Sequence, residues 1–203
     1  MKGRVRFNVL SDSELQNMKN RMEQILEERG IHLEHDELAD ELAKHGCIVD
    51  KAKQNVRFPK TVIDRAISAV PEEFTLYSTS GKYDLKFPHP EGQFYTRLNT
   101  GAPKYLTADG VRKYASLEDC KEFFELANKL DNIDYYALPS ACAEKELGNS
   151  VDVYTLEVAL NVGAKHIWIQ PYESDNVKYL LDACAASVGG YDQLRERPPV
   201  SFI

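Results

Sequence analysis

The chain has 203 residues, of which 43% are hydrophobic and 28% charged, and its formal charge is −7; that is enough chain for one or two globular domains with a sizeable core. The acidic balance, with Lys and Arg spread along the chain rather than clustered, excludes a nucleic-acid backbone as partner. No apolar stretch follows a basic start, none approaches the length of a membrane span, and Cys47, Cys120, Cys142 and Cys184 lie far apart without a Cys-x-x-Cys pair, so the expectation is a cytoplasmic protein with buried, reduced thiols and no membrane contact.

The first helix opens on a capping box, Ser11-Asp12-Ser13-Glu14, with Leu15, Met18, Met22, Ile25, Leu26 and Arg29 at helical spacing until Gly30 ends it. Ile31 to Leu33 leads into a shorter helix over about 36–45, with Leu38, Ala39 and Leu42 on one face and Gly46 as its left-handed cap. Residues 47–49 and 56–58 flank a polar turn and predict a small hairpin; Pro59 then opens a third helix carrying Val62, Ile63, Ala66 and Ile67, which Pro71 stops. Residues 74–77, 83–87 and 93–98 alternate, the first two around Ser80-Gly81, so the stretch from Phe74 to about Ala115 predicts short antiparallel strands.

The pattern changes at Ser116, which caps a helix with Asp119 at the box position and with Leu117, Cys120, Phe123, Phe124, Ala127 and Leu130 as its buried stripe. Buried strands follow at 133–138, 166–170 and 200–203, separated by helices over 151–162 and 175–188 and a helical turn over 192–197. The strand starts lie about 33 residues apart, the length of a strand–helix unit in a parallel sheet. The expected fold is therefore α/β: residues 1–115 form an N-terminal helical and antiparallel β region, and residues 116–203 form the first strands of an incomplete TIM (β/α)8 barrel. Such a barrel needs about 250 residues, so its last strand here would be an edge open to a partner.

Specific strings are also familiar in order: Ile31-His32-Leu33-Glu34 with Gly46 and Val49-Asp50, Val56-Arg57-Phe58-Pro59, and Val70-Pro71-Glu72-Glu73-Phe74-Thr75-Leu76-Tyr77. They continue through Thr100-Gly101-Ala102-Pro103, Ser116-Leu117-Glu118-Asp119, Asn132-Ile133-Asp134-Tyr135 and Leu194-Arg195-Glu196-Arg197-Pro198-Pro199-Val200-Ser201-Phe202. In register across nearly the whole chain, they resemble the trimethylamine methyltransferase family. The resemblance implies a TIM-barrel enzyme that moves a methyl group from a methylated or quaternary amine, such as trimethylamine or glycine betaine, to the Co(I) of a corrinoid (cobalamin) carried by a cognate partner protein, with no cofactor bound directly. Members run to more than twice this length, and in the trimethylamine-specific ones a pyrrolysine lies beyond the residues matched here, so this stretch alone is expected to be inactive. The alternative is an inactive truncated paralogue, or half of a split protein, that serves as an assembly module; its open edge also allows a homo-oligomer.

A methylated ammonium is best held by aromatic faces and a few acceptors, because its charge is diffuse. Tyr95 and Tyr105 bracket the loop at Thr100 and Gly101, where Gly101 and Pro103 fix an irregular backbone and Asn99 adds a polar group. At the carboxyl face of a barrel the working positions are Ser140 after the first strand and Gln170 after the second. These seven are the substrate-binding candidates, with no catalytic residue and no metal ligand assigned. His32, His35 and His45 lack a companion Cys or acid at ligand spacing and read as surface histidines, while Phe123, Phe124 and Trp168 read as core. Asp109-Gly110 is a turn signal, and no phosphate loop or nucleophile motif is present.

Overall fold

Helix α1 (Asp12–Glu28) begins where the capping box places it: the Ser11 hydroxyl accepts from the Glu14 amide at 3.3 Å and the Glu14 carboxylate accepts from the Ser11 amide at 2.7 Å. The bonds that this carboxylate accepts from the Ser11 amide and the Ser11 hydroxyl hold the Glu14 carboxyl below its ordinary value. The computed structural model describes residues 9–99, 101–138, 141 and 143–203, and its chain divides into two units, Met1–Pro71 and Glu72–Ile203.

In the first unit, β1 (Ile31–His32), β2 (Ile48–Asp50) and β3 (Asn55–Arg57) form an antiparallel sheet in the order β1-β3-β2, with α2 (Asp36–Lys44) and α3 (Lys60–Ala69) completing it. The expected hairpin is β2–β3. Strand β1 is an addition that two residues are too short to announce by periodicity; the Asn55 amide, donating to Arg29 O at 2.9 Å, holds the incoming chain beside β3. Gly30 is obligatory there, with φ of 71° and a Cβ position that would fall 2.1 Å from Val56 O. Val56, Cys47 and Ala39 centre the small core. The apolar stripe of α1 is not part of it: Leu15, Met18, Met22 and Ile25 are exposed, and the buried position is Glu23, paired with Lys60 at 3.1 Å.

The second unit opens with two antiparallel hairpins, β4 (Phe74–Leu76) with β5 (Leu85–Phe87), and β6 (Lys104–Leu106) with β7 (Arg112–Tyr114). The turn of the second is the Asp109-Gly110 signal, closed by Thr107 N to Val111 O at 2.9 Å. Residues 93–98 do not extend this antiparallel set as the alternation suggested. Arg97 forms a parallel bridge with Tyr135, because Asp134 holds the segment from both sides: its carboxylate accepts from Thr96 N at 2.7 Å and its amide donates to Thr96 O at 2.9 Å.

Helices α4 (Leu117–Lys129), α5 (Val151–Val162), α6 (Asn176–Val188) and α7 (Tyr191–Glu196) alternate with β8 (Tyr136–Ala137), β9 (Ile167–Ile169) and β10 (Val200–Phe202). The strands are parallel and lie in sequence order, β8-β9-β10. Tyr136, Leu138, Ile167, Ile169 and Val200 pack with Cys120 and Phe124 of α4, Leu156 and Ala159 of α5, and Leu180 and Cys184 of α6. One face of the sheet is therefore covered by helices. Burial there pushes the Cys184 thiol up to about 12, so it stays protonated. Gly163, after α5, leaves room that a side chain would take from Ala159 O (2.3 Å) and the Tyr136 ring (2.8 Å). The pattern change at Ser116 thus lies inside the second unit, with its capping box formed by Asp119.

Candidate functional site

Register decides which side chains occupy the other face, which no helix covers among the described residues. Ala137, Trp168 and Ser201 are partners across the three strands and alternate with the core residues Tyr136, Ile167 and Val200. Trp168 is consequently not a core residue, contrary to the expectation from its apolar run: it is half-buried and lies under the guanidinium of Arg97, 4.3 Å from ring centroid to Cζ. Phe124 is fully buried as expected, and Phe123 packs against the core edge-on to Tyr105.

The amino end of this face is closed. His166, buried, bonds Tyr77 O at 2.7 Å and the Ser201 hydroxyl at 2.8 Å. A carbonyl only accepts, so Nδ1 carries the proton and Nε2 accepts from Ser201. Burial pushes the imidazole below its ordinary value despite Tyr77 and Asp84, which keeps it in that neutral form. Thr79 and Ser80 donate to Gly163 O and Ala164 O at 2.9 and 2.7 Å. Asp84 pairs with Arg197, whose guanidinium lies 4.4 Å from the Tyr77 ring centroid. Burial raises the Asp84 carboxyl, and the bonds from Ser78 and Arg197 outweigh it, holding it below its ordinary value. Nearby, the buried Lys165 ammonium donates to Ala127 O and Leu130 O at the end of α4 and to Ile133 O in the segment leading to β8.

The carboxyl end carries the loop and strand-end candidates. Gly101 N donates to Leu138 O at 3.4 Å, which sets the loop beside the end of β8. Asn99 and Tyr105 line one cleft of about 160 Å³ with Leu98, Ala102, Lys104, Ala115 and Phe123. The Tyr105 hydroxyl donates to Asp119 at 2.8 Å; that bond, then burial, raises its phenol. Gln170 follows β9, exposed, and alternation puts it on the Trp168 face. Tyr95 belongs elsewhere, packed on Phe87 and His89 with its hydroxyl on Lys86 O. Thr100 and Ser140 lie outside the described residues.

Two features escaped the sequence. Arg97 had no motif to mark it. Asp152, buried in the first turn of α5, accepts from Tyr172 N at 3.0 Å and the Asn176 amide at 2.7 Å and so ties the segments following β8 and β9 together. Among the described residues no cluster of His, Cys, Asp or Glu could hold a metal ion; His35 caps α2, and His32 and His45 contact Glu34 and Glu41. No helix among them is long and apolar enough to cross a membrane.

A parallel strand–helix series with one face covered by helices defines an α/β protein. The chain matches the trimethylamine methyltransferase (MTTB) family over residues 1–202, and it belongs to that family. It is 25% identical to trimethylamine methyltransferase MttB1 of Methanosarcina mazei over 97% of this chain and 40% of the relative. With MttB of Desulfitobacterium hafniense the identity is 27% over 93% of the chain and 38% of the relative. A glycine betaine methyltransferase of D. hafniense is 24% identical over 63% of the chain and 26% of the relative. The chain spans about 40% of the length of the trimethylamine methyltransferases it matches.

Proposed function

We propose that this chain is the first part of a cytoplasmic methyltransferase barrel that takes a methyl group from a methylated or quaternary amine and delivers it to a corrinoid on a partner protein. The family match over residues 1–202 carries this reading, and the ordered parallel series β8-β9-β10 with helices on one face supports it. In a barrel the helix-free face becomes the interior and the carboxyl ends carry the chemistry. That assigns the amino end around His166 and Asp84 to structure, and the end bearing Asn99, Gly101 and Gln170 to the amine.

Co(I) of the corrinoid supplies the nucleophile and is the acceptor substrate; no residue described here is assigned to hold it. The chain's own contribution is to position the amine in line, to exclude water, and to leave the departing amine neutral. The barrel is completed only with the remaining length seen in the relatives, so the 203 residues alone are inactive in this account. The test is methyl transfer by a polypeptide of the relatives' length, with a corrinoid acceptor and a panel of methylated amines. Methylated cobalt with at least one of them is expected. Failure of every amine to act as donor overturns the reading.

A further inference from the structure

Asp152 makes its bonds within the carboxyl end of the sheet. It lies in the first turn of α5, only 3% exposed, where the helix dipole favours a negative charge. One carboxylate oxygen accepts from Val153 N at 2.9 Å and from the Asn176 amide at 2.7 Å, and the other accepts from Tyr172 N at 3.0 Å. The Asn176 amide, itself buried at the start of α6, donates a second time to Asn149 O at 2.7 Å, and the Asn149 amide donates to Glu173 at 2.9 Å. These bonds join residues 149–152, which lead into α5, to residues 172–176, which lead from β9 into α6.

Gln170 stands between two anchors. On one side Ile169 belongs to β9 and its carbonyl accepts from Ile203 N at 3.1 Å; on the other, Tyr172 N is held by Asp152. Pro171, between them, has a fixed φ and disfavours helical backbone at the residue before it. The direction of Gln170 is therefore set by where Asp152 holds Tyr172. An apolar contact would hold the two segments together without fixing an angle, whereas a carboxylate accepts on both oxygens along set directions and in charge-assisted bonds. We propose that Asp152 is a positioning residue for the carboxyl end, acting through Tyr172 N on Gln170 and touching no ligand itself. The clamp rests on these bonds alone; its effect on an amine rests on the function proposed above and on the assignment of Gln170 to it.

Asp152→Asn keeps the shape of the side chain and turns one acceptor oxygen into a donor. In the 203-residue chain, amide hydrogen exchange over residues 170–175 should become at least about tenfold faster in this variant, the scale of one charged hydrogen bond, while β9 and the middle of α5 stay within about twofold of the parent. Asn176→Ala, which spares the Tyr172 bond, should give a smaller rise and carries the same comparisons should Asp152→Asn not fold. In a polypeptide of the relatives' length, Asp152→Asn should raise KM for the methylated amine by about fivefold with Gln170 in place and by less than about twofold in a Gln170→Ala background, because the two act through one contact. Asp152→Glu, which restores the charge, should recover part of the loss. Exchange unchanged over 170–175, or raised equally throughout the second unit, overturns the clamp; a KM loss of the same size with and without Gln170 overturns the positioning role. If the exchange pattern holds and no amine is a donor for the parent polypeptide, the function proposed above fails and the clamp stands.

Discussion

The amino end of the β8-β9-β10 sheet and its carboxyl end differ in how their polar groups are partnered. At the amino end Arg197, over a tyrosine, meets Asp84, a buried histidine has both nitrogens bonded, and a buried lysine fills three carbonyls in the last turn of α4 and the segment after it. Mid-sheet, Arg97 lies over Trp168 and meets no acid among the described residues, and at the carboxyl end Gln170 is exposed. Polar groups that satisfy one another contribute to holding a fold; polar groups held in place with their valence open are suited to a ligand. The difference lies in the partners rather than in the residue types.

The largest effect should come from Phe124→Ala. The ring is fully buried against Tyr136, and its loss is expected to cost about 3–5 kcal/mol in denaturant unfolding, as for other large core deletions. Lys165→Met comes next: it leaves the three carbonyls without their donor, and a loss of about 2–3 kcal/mol is expected from unpaired buried acceptors. A shift under half a kcal/mol would mean that water replaces the ammonium and that the amino end is less closed than described.

Acidification should weaken the same end. His166 has a folded value below its unfolded one, so below about pH 6.5 the unfolded chain binds the proton more readily. Its contribution is present above that pH and is lost as pH falls through the folded value. Asp84, also lowered, follows the same sign at more acidic pH, its contribution lost below the ordinary carboxylate range. Urea midpoints should therefore drop between pH 7.5 and 5.5, and His166→Gln should flatten the drop; an unchanged slope would exclude His166 as its source. The smallest effect on stability belongs to Arg97→Ala, expected within about 0.5 kcal/mol of the parent because the side chain is exposed and meets no acid among the described residues.

Much of this fold was legible from local rules. Both capping boxes, the hairpins around 50–55 and 80–81, and the order of strands and helices from Ser116 onward follow from cap residues, turn residues and apolar period, which act within a few positions of one another. The failures came where a distant group decides. Residues 93–98 alternate like an antiparallel strand, yet Asp134 draws them parallel to the entry of β8. The Trp168 run looks uniformly buried because its neighbours Ile167 and Ile169 are, and only the register across β8 and β10 separates their faces. The candidate site was legible in part for the same reason: strand ends locate Gln170, and the loop glycine locates Asn99 and Gly101, but Arg97 gains meaning only from the ring beneath it. Tyr95 was grouped with that loop by nearness in sequence, whereas its ring packs on Phe87 and His89.

The division of labour between the two ends is tested most directly by steady-state methyl transfer in a polypeptide of the relatives' length, comparing Asp84→Asn with Gln170→Ala under conditions where both are folded. The account predicts that Asp84→Asn leaves kcat and KM unchanged, while Gln170→Ala raises KM for the methylated amine by about fivefold, the scale of one neutral hydrogen bond. A loss of turnover in Asp84→Asn together with an unchanged Gln170→Ala would contradict it, and would move the working end of the sheet to the side assigned here to structure.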